Sequence, residues 1–174
     1  KVIANTTKSN FKQINATTAG KKEMEEAISE AKISISMYKK KTILFIDEIH
    51  RFNKSQQDYL LPFVEDGTII LIGATTENPF FEVNKALISR SRVLELKPLS
   101  YNDIESILNK AIKDKERGMG KYELDISEEA IEFISKNADG DARNALNALE
   151  LAILTTDISA DGKIHIDINI ISEC

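Results

Sequence analysis

Two adjacent carboxylates, Asp47 and Glu48, follow the hydrophobic run Ile43-Leu44-Phe45-Ile46. If that run is a strand of an open parallel sheet, the pair stands beyond the strand's carboxyl end, where such sheets bind ligands. One carboxylate can then hold Mg²⁺ while its neighbour polarises a water for attack on a phosphoryl group. A solvated turn presents the same residue types, so the pair alone does not decide between the two. A second run, Thr68-Ile69-Ile70-Leu71-Ile72-Gly73-Ala74, ends in Thr75-Thr76-Glu77-Asn78-Pro79. Its hydroxyl and amide groups would reach the same sheet edge, able to orient a water or touch a γ-phosphate. A Thr- and Asn-rich turn before a proline is the plainer alternative. Ser89-Arg90-Ser91-Arg92 offers guanidinium groups either as surface charge or as a finger reaching a neighbouring subunit's site. In Gly140-Asp141-Ala142-Arg143-Asn144, Arg143 falls in the first turn of an apolar helix, where a cation is disfavoured by about 0.3–1 kcal/mol. A phosphate partner would account for it, and so would an ion pair with Asp139 or Asp141. Glu48 and His50 are two apart with no second His on the same helical face, so the helical zinc-protease pattern fails on spacing. His50 is expected to be a surface or packing residue.

The elements that must position these groups are legible from periodicity. Met24, Ala27, Ile28, Ala31 and Ile35 recur at helical spacing between Gly20 and Tyr38. Thr42 to Ile46 is apolar on both faces, as a central parallel strand covered by helices would be. Asn53 with Gln56 forms a capping box that opens a helix through about Glu65, with a kink expected at Pro62. Gly67 closes it, and a second buried strand follows to Ala74, so strand, helix and strand alternate as in a parallel crossover unit. A short helix is expected around Val83 to Ser89 and a brief strand over Val93-Leu94-Glu95-Leu96. Beyond Pro98 the character changes. Helices fit Ser100 to about Lys115, Ser127 to Asn137 and Asp141 to Thr156, while Lys163 to Ile166 suits a short strand with Asp167 opening another helix.

Composition removes several function classes. The chain has 174 residues, 42% hydrophobic and 29% charged, which suits a globular protein with one sizeable core or two small ones. A single cysteine, Cys174, can form neither an intrachain disulfide nor a Cys-rich zinc site. No apolar run approaches the roughly 20 residues a membrane helix needs, and the polar start has no signal-peptide pattern. The net charge of -5 argues against a chain that is mainly a nucleic-acid-binding surface. The basic run Lys39-Lys40-Lys41 fits a solvated turn before a buried strand.

The order of the motifs says more than any one of them. A hydrophobic strand ending in Asp47-Glu48 is the Walker B pattern of P-loop ATPases. Followed by the Thr75-Thr76-Glu77-Asn78 turn, Ser89-Arg90-Ser91-Arg92 and the helix opening Gly140-Asp141-Ala142-Arg143-Asn144-Ala145-Leu146-Asn147, it resembles AAA+ ATPases of the clamp-loader group. Phe45 to Asp58, Val64 to Thr68 and Leu71 to Pro79 are similar to the RarA/MgsA family of replication-associated recombination proteins, related to the Werner-helicase-interacting ATPase. The resemblance runs from about Phe11 to Thr156. It implies an α/β fold: a partial AAA+ P-loop ATPase core with a parallel sheet (1–98), a small all-helical lid domain (99–160) and the start of a C-terminal region (161–174). It also implies roles: Asp47 helping to coordinate Mg²⁺, Glu48 as catalytic base, Thr76 with adjacent Thr75 as nucleotide sensor, Arg90 as a finger acting in trans, and Arg143 contacting the nucleotide from the lid. Where relatives usually carry Ser-Arg-Cys at the finger, this chain has Ser91 in place of the Cys.

The implied activity is DNA-dependent ATP hydrolysis in replication-fork maintenance, recombination and repair. The implied cofactors are ATP and Mg²⁺. The implied partners are single-stranded or forked DNA, further copies of the chain, a single-stranded DNA-binding protein and replication proteins, with no membrane. The location would be the cytoplasm and nucleoid of a bacterium or the nucleus of a eukaryote. A clamp-loader subunit, a Holliday-junction branch-migration ATPase and a non-catalytic interaction module share the same plan. The phosphate-cradling pattern G-x-x-x-x-G-K-S/T occurs nowhere in the 174 residues; Gly20-Lys21-Lys22 lacks the hydroxyl residue and has Asn15 where the first Gly belongs. The expectation is therefore an internal fragment that binds ATP weakly and does not turn it over alone.

Overall fold

The structure is a computed structural model that describes residues 1–173. The chain divides into two compact units, Lys1–Leu94 and Glu95–Cys174; Cys174 itself, and its place in any helical pattern, lie outside the described residues.

The first unit begins with α1 (Val2–Thr6) and then runs β1 (Asn10–Asn15), α2 (Lys21–Tyr38), β2 (Thr42–Asp47), a 3₁₀ turn (Ile49–Arg51), α3 (Lys54–Glu65), β3 (Ile69–Gly73), α4 (Pro79–Glu82) and α5 (Lys85–Ile88). The three strands form a parallel sheet in the order β1-β2-β3, with Ile46 opposite both Ile14 and Gly73. β2 is central, as its sequence predicts: Ile43, Leu44 and Ile46 are almost wholly buried. The apolar stripe of α2 (Met24, Ala27, Ile28, Ala31) packs with Ile14, Leu44, Ile46 and Leu60 into one core. Lys39 to Lys41 are exposed, with Lys39 in the left-handed conformation that ends α2.

Three expectations are amended here, and one element, β1, was not expected. β1 has no alternating pattern of its own and takes its strand form from pairing with β2. β3 is an edge strand, with Ile70 41% exposed rather than buried. The helix expected at Val83 to Ser89 is two short turns, because Asn78 caps one and Asn84 restarts the chain as cap of the next. Val93 to Leu96 forms no strand: the segment from Ser91 to Ser100 is exposed and joins no ladder, and alternation makes a strand only where a ladder partner exists. At Pro62, α3 continues to Glu65 although that residue can donate no backbone bond.

The second unit contains α6 (Tyr101–Lys113), β4 (Leu124–Ile126), α7 (Glu128–Asn137), α8 (Ala142–Thr155), β5 (Ile164–Ile166) and α9 (Ile168–Ser172). It is mainly helical, around Ile104, Leu108, Ala130, Ile134, Leu149 and Ile153. The short strand expected over Lys163 to Ile166 is β5, while the all-helical expectation omits its parallel partner β4, which sets Leu124 opposite Ile164 and Ile126 opposite Ile166. Ile164, Ile166 and Ile171 join the same core, so residues beyond 160 are integral to this unit.

Candidate functional site

At the carboxyl end of β2 the chain leaves regular geometry. Glu48 adopts a left-handed backbone (φ 53, ψ 45) and the 3₁₀ turn follows at once. Such a conformation costs a non-glycine residue about 1–3 kcal/mol and persists where its surroundings enforce it. Here the enforcement is a backbone clasp: Ala74 N–H donates to Ile46 C=O at 2.9 Å, and Ile49 N–H donates to Ala74 C=O at 2.9 Å. Gly73 permits the approach, since a Cβ there would stand 3.0 Å from Cδ1 of Ile49. The clasp sets the loops after β2 and β3 side by side.

Side chains then meet across them. Thr76 Oγ1 donates to Glu48 Oε2 at 3.3 Å. His50 Nδ1 lies 2.8 Å from Thr75 Oγ1 and 3.3 Å from the same Glu48 oxygen. Thr75 Oγ1 also accepts the Glu77 N–H at 3.0 Å, which fixes the turn before Pro79. Asp47 is half-buried, and its carboxylate has no hydrogen bond or ion pair among the described residues. The structure thus brings Asp47, Glu48, Thr75 and Thr76 to one edge, and adds His50. Expected to be a surface or packing residue, His50 has a side chain only 8% exposed and touches two of the chemistry-bearing groups. The left-handed backbone at Glu48, which no residue type at these positions announces, accompanies the approach of His50 to Glu48.

At β1 the strand-to-helix turn, which carries Gly20-Lys21-Lys22, is closed by the protein itself. Glu23 accepts the Gly20 N–H at 2.8 Å as part of the cap that opens α2. That bond is the largest influence on Glu23 after its own backbone N–H, and together they hold its carboxyl below the usual range.

Arg90 is not part of this cluster. It follows α5, with Nη2 2.6 Å from Glu65 Oε1 and Nη1 donating to Ala86 C=O at 3.0 Å. Both partners of the ion pair are nearly half exposed, 44% and 48%, so the pair is worth at most about 0.2–1 kcal/mol. Arg90 is therefore held loosely. What fixes its helix is Gln57, 1% exposed within α3. Its Nε2 donates to Phe52 C=O at 2.9 Å and to Glu82 C=O at 3.3 Å, while its Oε1 accepts the Asn84 N–H at 2.6 Å.

Arg143 belongs to the second unit, exposed in the first turn of α8. Of the two alternatives for Arg143, the ion pair with Asp139 or Asp141 does not form: Asp141 Oδ1 is used as helix cap, accepting Arg143 N–H at 2.7 Å and Asn144 N–H at 3.4 Å. Gly140 precedes it at φ 73, where a Cβ would meet Pro98 and the Leu99 backbone at 2.7–3.0 Å. Only glycine fits there.

The residues suit a magnesium ion. Asp47 supplies one uncommitted hard oxygen, and Mg²⁺ characteristically takes one or two carboxylates and completes its shell with water and phosphate oxygens. No group of three or more His, Cys, Asp or Glu among the described residues is placed to cage an ion.

Comparison with known proteins agrees with this geometry. The chain is 46% identical over 172 residues to replication-associated recombination protein A of Bacillus subtilis, covering 99% of this chain and 40% of that protein. It is 49% identical over 162 residues to the Escherichia coli protein of the same name, covering 93% and 36%. It is 44% identical over 152 residues to ATPase WRNIP1 of Dictyostelium discoideum, covering 87% and 17%. The chain thus spans less than half the length of each relative. Among solved structures, the Thermotoga maritima RuvB Holliday junction branch migration motor matches with a TM-score of 0.72 at 25% identity, over 99% of this chain and 54% of that one. A family model for the AAA C-terminal domain matches residues 120–174. Residues 1–99 match the model of the ATPase family associated with various cellular activities, and by that match the chain belongs to the AAA family.

Proposed function

We propose that this chain forms part of the motor of a DNA-dependent ATPase that acts in replication-associated recombination and repair. The observation that carries the reading is the Glu48 carboxylate. It is set by a strained backbone at the ligand-binding edge of a parallel sheet and joined to Thr76 of the next strand's loop. The names of the relatives supply the biological setting.

In this reading Glu48 takes the proton from the attacking water, a role that contributes typically about 10²–10⁴-fold. Thr76, with Thr75 beside it, reads the terminal phosphate and passes its position to Glu48 through the 3.3 Å bond. Asp47 holds Mg²⁺, which when bound offsets phosphate charge. Arg90 serves the site of a neighbouring copy, consistent with its exposed position away from its own chain's Glu48 and its weak hold by Glu65. Arg143 contacts nucleotide from the second unit. No residue in these 174 supplies the Gly-Lys-Ser/Thr phosphate cradle, and Glu23 closes the one similar turn. These residues by themselves should therefore bind ATP weakly and not turn it over. DNA, further copies of the chain, a single-stranded DNA-binding protein and replication proteins are the proposed partners, in the cytoplasm and nucleoid or in the nucleus according to source. Among the described residues no helix is long and apolar enough to cross a membrane.

The test is ATP hydrolysis by the full-length protein that carries this segment. Turnover should require Mg²⁺ and rise with single-stranded or forked DNA. Absence of hydrolysis would refute the ATPase reading, and turnover indifferent to every DNA form would refute the DNA reading.

A further inference from the structure

The geometry points to His50 as a positioning residue that couples the Glu48 carboxylate to the loop carrying Thr75 and Thr76. The inference rests on the reading of Glu48 as the base in ATP hydrolysis. An imidazole 8% exposed needs polar partners, and its Nδ1 has a hydrogen bond to Thr75 on one loop and a close charge contact with Glu48 on the other. The location of its proton follows from the neighbours. A bare Nδ1 lone pair would face the Glu48 carboxylate at 3.3 Å and be repelled by it, so Nδ1 carries the hydrogen. That N–H donates to Thr75 Oγ1 at 2.8 Å, while Glu48 Oε2 stands 3.3 Å from the same nitrogen as its charge partner. Thr75 in turn accepts the Glu77 N–H, leaving its own O–H directed to the Glu77 carbonyl at 3.4 Å.

The consequence lies on Glu48. Thr76 O–H donates to Oε2, and the His50 Nδ1 lies 3.3 Å from that same oxygen. The other, Oε1, has no partner among the described residues and is the oxygen presented to a water. Without the imidazole the Glu48 side chain keeps one bond to an exposed threonine and can rotate away. Misplacing a reacting group by about 1 Å costs on the order of 100-fold.

The experiment uses the full-length protein with His50→Ala, His50→Asn, His50→Gln, Thr75→Val and the double variant His50→Ala/Thr75→Val, alongside Glu48→Gln. His50→Ala should lower kcat by about 10–100-fold with KM for ATP and nucleotide affinity unchanged. His50→Asn, whose amide N–H falls near the Nδ1 position, should recover most of the rate, whereas His50→Gln, which reaches the Nε2 position, should not. The double variant should be no slower than the worse single one, because both remove the same link. Wild-type kcat in His50→Ala, a loss confined to KM, or rescue by Gln rather than Asn would overturn the inference. Should His50→Ala fail to fold, the contrast between Asn and Gln decides alone. If Glu48→Gln itself kept wild-type turnover, the reading of Glu48 would fail and His50's role with it. An inactive Glu48→Gln beside a fully active His50→Ala would remove the positioning role only.

Discussion

Gln57→Met isolates the strut that holds the Arg90 helix. Methionine is close to glutamine in length and volume, so the substitution leaves little cavity and removes mainly hydrogen bonds. Three are lost: to Phe52 C=O, to Glu82 C=O and from Asn84 N–H. The Glu82 carbonyl keeps the Lys54 ammonium at 3.3 Å, so two groups are orphaned, the Phe52 carbonyl and the Asn84 N–H. A buried polar group left without a partner costs about 1–3 kcal/mol. Asn84 is only half-buried and belongs at the low end, which gives a loss of about 2–4 kcal/mol. Urea unfolding of this chain should show that loss, and hydrogen exchange should show the Asn84 amide and the α4–α5 turns deprotected while β1 and β2 keep their protection. A midpoint within about 0.5 kcal/mol of wild type, the scatter of ordinary surface changes, would refute the strut and with it the account of how the Arg90 helix is placed.

Other expectations follow from the same geometry. In the full-length protein, Arg90→Ala should alter stability by less than about 1 kcal/mol yet reduce turnover by about 10³-fold or more with ATP binding spared. Mixing it with Glu48→Gln subunits should restore part of the activity, and failure of any such complementation would count against action in trans. Gly73→Ala forces Cβ to within 3.0 Å of Ile49 and should destabilise by about 1–2 kcal/mol, with Ile49→Val relieving part of the loss in a double-mutant cycle of melting temperatures. In the second unit, the protonated His165 ring donates to Asp161 and Asp125, each at 2.9 Å, and chiefly the Asp161 contact, then Asp125, raises its pKa. That contribution is complete below about pH 6.5 and is lost as pH rises through the raised folded value. Asp161, lowered mainly by the Lys163 N–H, works in the opposite sense and loses its contribution as pH falls through its depressed value. Thermal melts should therefore decline above neutrality less steeply in His165→Gln than in wild type; an unchanged slope would remove the bridge from the account.

How much of this was legible in the sequence depended on whether the cause was local. The Asn53–Gln56 capping box appears as expected, with bonds of 2.9 and 3.0 Å, because both partners sit within one turn. β2 was legible because burial on both faces leaves an unbroken apolar run. β1 was not, since Asn10-Phe11-Lys12-Gln13-Ile14-Asn15 has no such run and owes its form to a neighbour. β4 is three residues long, too short to carry a period. Val93 to Leu96 shows the converse, a strand pattern without a ladder. At the site, Asp47, Glu48, Thr75 and Thr76 were legible because parallel strands end at one edge. The hold of Gln57 on Asn84 and of Glu65 on Arg90 spans more than twenty residues in each case and left no local trace. His50, expected at the surface or in packing, is nearly buried, and its approach to Glu48 across a left-handed backbone left no trace in residue type or spacing.

The most direct test of the central claim is single-turnover ATP hydrolysis by the full-length protein bearing Glu48→Gln, measured together with nucleotide affinity. Nucleotide should bind as tightly as to wild type while the hydrolysis rate falls by about 10²–10⁴-fold. A rate within a few-fold of wild type would contradict the assignment of Glu48 and the reading of the β2–β3 edge as the catalytic centre.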